Sequence, residues 1–485
     1  MISRLSPLCL VLVVTCVGSN AKSDSPKHTP VSLGPGPQLF IDDHLIEQQS
    51  FLQRTVNNPK RRPQPVIPGG DTYRISQPFV SVVRDARKGI FRMWYEVPVA
   101  DHRTSHVAYT ESRNGISWPP PKVLPNYFRD KDYTHACRLS VVDHGPDWPV
   151  PNKRFVMAVD SQIRSGTRVA YVRIFTSADG LDWTLLTNKP GIAHNNDITS
   201  LHWDPIRKQY IAIASQVIAG ITGLARVPHQ SESKDLINWS PKRQIIQPSL
   251  APIEMYARNL NDGTTQFYGM SGIVVRGELM IGLVKVLQDH LNATPGKTAA
   301  EMGSPGRAYA GFGYTVLAWS RDGHTWQRDH EPFIPRNRVP GTFDYAMSWG
   351  DAQVITDQET LIYYGGYKRG HKVNRTKERQ LGLARMPRDR YVSRLAGPNF
   401  GRLLTKPLVL TARSLTVNAN VRGEGRVRLL DSRRKPLDGF GWIEFKGDSI
   451  EHKIDWRSRL TSVSGKVVHL EFQLKDSQLF GFDLH

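Results

Sequence analysis

Cysteine is nearly missing from this chain. Three occur in 485 residues, and Cys9 and Cys16 lie near the N-terminus, which leaves Cys137 alone in the body. A single thiol excludes an intramolecular disulfide, so stability must come from packing. Cys137 falls in an apolar strand-like run and reads as a buried small residue; the rarer reading is a nucleophile. Long apolar runs are missing as well. Past the N-terminal segment none reaches the ~18 residues of a membrane span, and the mean hydropathy is −0.40. A multi-pass membrane protein is excluded. No His-Glu-x-x-His or EF-hand spacing occurs, no Gly-x-Ser-x-Gly, no zinc-finger cysteines, no RNP-like run and no basic zipper. These absences leave no support for a serine hydrolase, a motif-borne metal site or a nucleic-acid role. Helical periodicity is scarce throughout.

The N-terminus carries a targeting pattern. Arg4 precedes an apolar stretch from Leu5 to Val17 that only Ser6, Pro7 and Thr15 interrupt, and Ser19-Asn20-Ala21 offers a cleavage site before Lys22. Residues 1–21 are predicted to be a signal peptide, and the protein to be secreted or periplasmic. Lipid attachment at Cys16 is the alternative, with Thr15 a poor fit just ahead of it. Residues 22–36 are polar and rich in Ser, Pro and Gly, and read as a flexible leader. Basic residues outnumber acidic ones, 64 to 44, for a net charge of +20. Such a surface attracts polyanions, which for an exported chain means sulfated or uronic polysaccharide. The plainer reading is dispersed charge that aids solubility, because the longest basic clusters, Lys60-Arg61-Arg62 and Arg433-Arg434-Lys435, are short.

Short alternating or β-branched runs recur from Phe79–Val83 to Thr360–Gly365, punctuated by Gly, Asp, Asn and Pro. That pattern predicts an all-β protein of many short strands. One motif repeats: Ser112-Arg113-Asn114-Gly115-Ile116-Ser117-Trp118, Ser177-Ala178-Asp179-Gly180-Leu181-Asp182-Trp183 and Ser320-Arg321-Asp322-Gly323-His324-Thr325-Trp326. A weaker copy, Ser233 to Trp239, lacks the glycine. Asn-Gly and Asp-Gly favour tight hairpin turns with both residues at positive φ, and the Trp that follows can pack between neighbouring sheets. Each interval between these tryptophans can hold a four-stranded sheet, as a propeller blade requires. The division gives five blades, near 70–127, 128–190, 191–249, 250–340 and 341–397. The fourth is lengthened by a rim loop at 287–308, and residues 37–69 pack on the propeller or complete a blade. The expected fold is therefore a five-bladed β-propeller over 37–397. Residues 398–485 lack the motif but keep alternation, and are expected to form a C-terminal β-sandwich.

With these turns and this tail the chain resembles the five-bladed propeller glycoside hydrolases of the invertase, levansucrase and arabinanase groups. It is most similar to secreted bacterial members with an invertase-like N-terminal domain. The resemblance runs from about residue 37 to 485. It rests on Leu39-Phe40-Ile41-Asp42-Asp43, Met93-Trp94-Tyr95, Trp203-Asp204-Pro205, Ser320-Arg321-Asp322-Gly323, Tyr363-Tyr364-Gly365-Gly366 and Gly401-Arg402-Leu403-Leu404-Thr405-Lys406-Pro407-Leu408. It implies acids at the starts of the innermost strands that converge on a central pocket. Glycoside cleavage needs two carboxyl groups at the bond, one ionised and one protonated. The invertase patterns Asn-Asp-Pro, Arg-Asp-Pro and Glu-Cys are absent, and Gln77-Pro78 stands where an Asp-Pro would fall.

On the resemblance, Asp197 is expected as base or nucleophile, Glu254 as general acid and Asp344 to orient a hydroxyl, with Asp71 in reserve. The alternative for each is a loop carboxylate that caps a turn or pairs with Arg. His135, Arg138, Arg258 and His371 are expected at comparable strand ends, either binding an anionic sugar or salt-bridging these acids. Tyr256 is a candidate stacking platform, while Trp94 reads as core. No cofactor is expected, and a Ca²⁺ on the propeller axis enters by analogy only. The implied partner is a carbohydrate, sulfated or uronic on the charge argument. Two functions stay open: a glycoside hydrolase, and a non-catalytic carbohydrate- or surface-binding propeller.

Overall fold

A computed structural model describes residues 29–73, 75, 79–98, 105–125, 133–163, 170–189, 191–196, 199–220, 223–248, 265–373 and 378–485. The targeting segment and Cys16 lie outside these. The described chain is all-β apart from one helical turn, Gly70–Tyr73, and two short 3-10 turns.

Most strands fall into antiparallel arrays that follow the chain. The first holds Val80–Asp85, Ile90–Pro98, Ser105–Ser112 and Lys122–Val123. The second runs from Tyr133–Asp143 through Phe155–Ile163 and Ala170–Ser177 to Thr184–Leu185. The third runs from Thr199–Asp204 through Gln209–Gly220 and Gly223–Ser233 to Arg243–Gln244. The next seven strands, together with Lys60–Arg61, form one sheet, made of two such arrays joined by the single parallel pair Gly313–Met347. Its first half begins at Thr265–Arg276 and its second at Met347–Ile355. The five leading strands touch in order, and the last touches the first, so they close a ring.

One polar residue at a matching position stitches each neighbouring pair in this ring. Ser81 Oγ accepts from Val141 N (2.9 Å), and Ser140 Oγ from Leu201 N (2.9 Å). Ser200 Oγ donates to Met270 O (2.6 Å), and Ser271 Oγ to Asp351 Oδ1 (2.8 Å). Asp351 then accepts from Val80 N and completes the circuit. It also takes the buried Lys285 ammonium, which donates to Ser271 Oγ at 2.8 Å. Buried backbone groups need such partners wherever a ladder is missing.

The repeated motif closes the outer edge of four arrays, with chemistry that differs from the expected hairpin. Each Ser is the last residue of a third strand, and three of the four accept from the fourth motif residue: Gly115 N (2.9 Å), Gly180 N (2.8 Å) and Leu236 N (2.8 Å). The Asn or Asp oxygen accepts from the backbone N–H groups two and three residues on, as Asp179 does from Leu181 and Asp182 at 2.8 and 3.0 Å. Only the residue after the Asn or Asp is left-handed, at φ 69°, 81° and 68° for Gly115, Gly180 and Gly323, and 67° for Leu236. A side-chain-capped turn therefore replaces the two-residue hairpin. The tryptophans pack as expected, each reaching back to the preceding array. Trp183 lies with Trp94 and Tyr109, Trp326 with Ile211 and Ile213, and Trp118 reaches Tyr363 of the last array. Trp94 is fully buried core.

The last array has no such turn. Its fourth strand is Lys60–Arg61, which pairs with Gln380–Pro387 from the far side of the sequence. The rest of the N-terminal segment goes elsewhere. Val31–Leu33, Gly36–Leu39, Ile46–Ser50 and Leu52–Val56 join strands from 392 onward in a ten-stranded sheet. Its spine is the pair Leu415–Asp431 and Val467–Leu484, bonded along nearly their full length. Val417, Val427, Leu470, Phe472 and Phe482 alternate onto one core together with Phe40. The expected boundaries are corrected accordingly: the leader does not extend through 36, since Val31–Leu33 is a strand, and the C-terminal unit takes strands from 31–56. The expected rim loop is built of turns on a small core of Ala299, Met302, Ala310 and Val373.

Candidate functional site

The ring of leading strands encloses an axial cavity of about 460 Å³ that all five strands line. Two carboxylates line it, Asp351 and Asp143. Asp351 is consumed by Lys285, and Asp143 is gripped by Arg154 through Nε and Nη2, both at 2.9 Å. His202 also faces this space, and desolvation, reinforced by Lys285, pushes its imidazole down to about 3. It is therefore neutral at neutral pH. Nothing described in this cavity offers a carboxyl pair free for chemistry.

At the strand starts, the end where the sequence places its acids, several expectations meet their structural alternatives. Asp344 is 1% exposed. It accepts from Tyr364 Oη at 2.9 Å and lies 3.6 Å from Arg61, the residue that completes the last array. Phe343 and Tyr364 stack beside it in the layer between the last two arrays. This corrects the expected role: Asp344 is enclosed with partners from its own array and is not presented to a ligand. Arg138 is buried at a strand bulge with φ 58°, and its Nη1 lies 2.6 Å from Asp160 Oδ2. Asp160 Oδ1 lies 3.2 Å from His194 Nε2. Burial alone would raise the Asp160 pKa, but His194 and Arg138 outweigh it and hold the carboxyl below its ordinary value. Arg138 thus takes the salt-bridging alternative, with an acid the sequence reading passed over. His371 is buried against Tyr268, Trp349 and Tyr367, at ring distances of 5.1, 5.4 and 6.1 Å. It is a core residue and not a surface sugar contact.

Asp71 lies in the helical turn Gly70–Tyr73 and His135 in the strand Tyr133–Asp143, with their side chains outside the description. Asp197, Glu254, Tyr256 and Arg258 lie outside the described residues.

The residues leading into Asp197 are held firmly. Asn195 Oδ1 accepts from Val217 N (2.8 Å) and its Nδ2 donates to Val217 O (3.2 Å). Asn196 Nδ2 donates to Ser215 Oγ at 2.8 Å, and its Oδ1 accepts from Arg226 Nε at 3.1 Å. Arg226 also donates to Gln266 Oε1 and lies 4.9 Å over the Tyr268 ring. Next to this network, Lys372 pairs with Asp289 at 3.1 Å. Sequence reasoning missed Arg226, Gln266 and Lys372. The Asn195-Asn196 pair was the available signal, since two adjacent carboxamides can pin a loop through both donor and acceptor.

Among the described residues no group of three or more His, Cys, Asp or Glu is arranged to hold a metal ion. None of their helices is long and apolar enough to cross a membrane.

No family model and no curated protein matches the chain. Solved structures similar to it include a thermostable family-43 glycoside hydrolase, 14% identical over 69% of this chain and 92% of that one, TM-score 0.43. A glycosyl hydrolase from Bacteroides ovatus is 14% identical over 69% and 97%, TM-score 0.41. An N-acetylgalactosamine deacetylase from F. plautii, solved with blood group B trisaccharide, is 15% identical over 70% and 96%, TM-score 0.44.

Proposed function

We propose that the protein is an exported, carbohydrate-active five-bladed β-propeller with a C-terminal β-sandwich, and a glycoside hydrolase that uses Asp197 and Glu254. The observation that carries this reading is the double anchoring of Asn195 and Asn196 to Val217, Ser215 and Arg226. It fixes the backbone directly before Asp197 at the start of a ring strand, and catalytic groups require that kind of preorganisation. Asp197 is assigned the base or nucleophile. Glu254, in the segment that leads into the next ring strand, is assigned the general acid. The described acids at this end, Asp160, Asp289 and Asp344, are already engaged by cations. That engagement also favours the second reading, a glycan-binding propeller without cleavage.

The test uses the mature protein from Lys22 onward on a glycan panel, with released sugar and retained protein both recorded. Asp197→Asn and Glu254→Gln are each expected to lower release about 10²–10⁴-fold with the fold intact. Retention without release, unchanged in both variants, would establish the binding protein instead.

A further inference from the structure

The cations at the strand-start end are not equivalent. Arg138 lies 2.6 Å from Asp160, Arg369 is paired with Glu378, and Lys372 lies 3.1 Å from Asp289. Arg226 has no carboxylate among the described residues. Its Nε and Nη1 donate to the neutral amide oxygens of Asn196 and Gln266, and its plane rests on Tyr268. Gln266 is fully buried and Tyr268 nearly so, so the guanidinium is seated on fixed groups. Neutral acceptors orient an arginine without cancelling its charge. The same fork, aimed at a planar or tetrahedral oxyanion, makes the strong charge-assisted contact.

A second observation points the same way. Burial lowers the Lys372 pKa, and the positive charges of Arg307 and Arg226 lower it further against the opposing pull of Asp289. Lys372 therefore feels both Arg226 and Arg307, against the one carboxylate of Asp289. An incoming anion would relieve that repulsion.

We propose that Arg226, with Lys372 beside it, is the seat for an oxyanion substituent of the glycan, a uronate carboxylate or a sulfate ester. The inference rests on the reading of this mouth as the glycan site. Asn196, which holds Arg226, is the residue directly before Asp197 in the sequence.

The test is equilibrium binding by the Asp197→Asn protein, which separates binding from turnover. The probes are a neutral β-galactan oligomer, an oligogalacturonide of equal length and a sulfated galactan oligomer. One or both anionic probes should bind at least tenfold more tightly than the neutral one, with an affinity that falls steeply with salt. Whichever binds more tightly identifies the substituent. Arg226→Gln should remove that preference while the melting temperature holds. If Arg226→Gln does not fold, Lys372→Gln, which leaves the guanidinium seat in place, should cut the preference several-fold. Equal affinity for all three probes, no binding of either anionic probe, or a preference that survives in the folded variant overturns the proposal. Release of neutral sugar without anionic preference defeats this inference alone. Anionic preference without release by the unsubstituted protein defeats only the hydrolase reading.

Discussion

Four arrays of this protein finish themselves and the fifth does not. The first four each end in a Ser-x-Asn/Asp turn and a Trp that packs on the array before. The last has neither, and takes Lys60–Arg61 as its outer strand. The inner ring shows the same division. Ser81, Ser140, Ser200 and Ser271 carry the seams between the first five strands in sequence, while Asp351, with Lys285 buried against it, carries the seam between last and first. Where successive repeats meet, a neutral hydroxyl suffices. At the end of the series one carboxylate, Asp351, serves two seams: it takes Ser271 and the Lys285 ammonium from the fourth array and Val80 N from the first.

The sharpest way to break this contrast is to remove the closing charge. Asp351→Ala leaves Lys285 buried without its carboxylate and should cost about 3–5 kcal/mol in denaturant unfolding. Joint replacement, Lys285→Met with Asp351→Leu, should recover part of that loss, because the unpaired charge is then absent. Ser140→Ala at an ordinary seam should cost less, about 1–3 kcal/mol, since it orphans one neutral backbone N–H. A loss at Ser140 equal to that at Asp351 would erase the distinction between the seams.

The smallest effect concerns the turns and is read in acid. Burial would raise the pKa of Asp179 and Asp322, but their backbone hydrogen bonds more than offset it and leave both below the ordinary 3.8. A depressed folded pKa stabilises above the unfolded value and is lost as pH falls through the folded one. These turns should therefore weaken below about pH 4. The first array already uses Asn114, which accepts from Ile116 and Ser117 at 2.9 Å and carries no charge. Asp322→Asn should change stability at pH 7 by no more than about 0.5 kcal/mol and flatten the acid limb. An unchanged acid limb would show that the depressed pKa of Asp322 carries no stability.

The turns were legible because their chemistry is local: Ser, Asn or Asp, Gly and Trp act within seven residues of sequence. The all-β class was legible for the same reason, through alternation. The seams were not. Ser81, Ser140, Ser200 and Ser271 are single hydroxyls in apolar runs, and nothing along the chain says that each bonds a neighbour 60 to 80 residues away. The N-terminal strands were unreadable because their partners begin at residue 384. The site divided in the same manner. Asp344 has the sequence setting of a strand-start acid, but Tyr364 and Arg61, which enclose it, come from other strands. Arg61 belonged to a basic cluster that the sequence offered only as surface charge. Arg226 stood out on no sequence criterion, because Asn196, Gln266 and Tyr268, which seat it, come from other strands and loops.

The arrangement of the N-terminal strands has a consequence for synthesis. Gly36–Leu39 pairs with 481–484, and Lys60–Arg61 with residues past 380. A ribosome releases these first segments several hundred residues before their partners exist. The nascent chain can build its early arrays one by one, yet it cannot seal the two sheets that use these strands until residues 384–385 and 481–484 have been made. The molecule thus carries a built-in delay between the making of these strands and their pairing, and throughout that interval they are bare edges for a chaperone to hold.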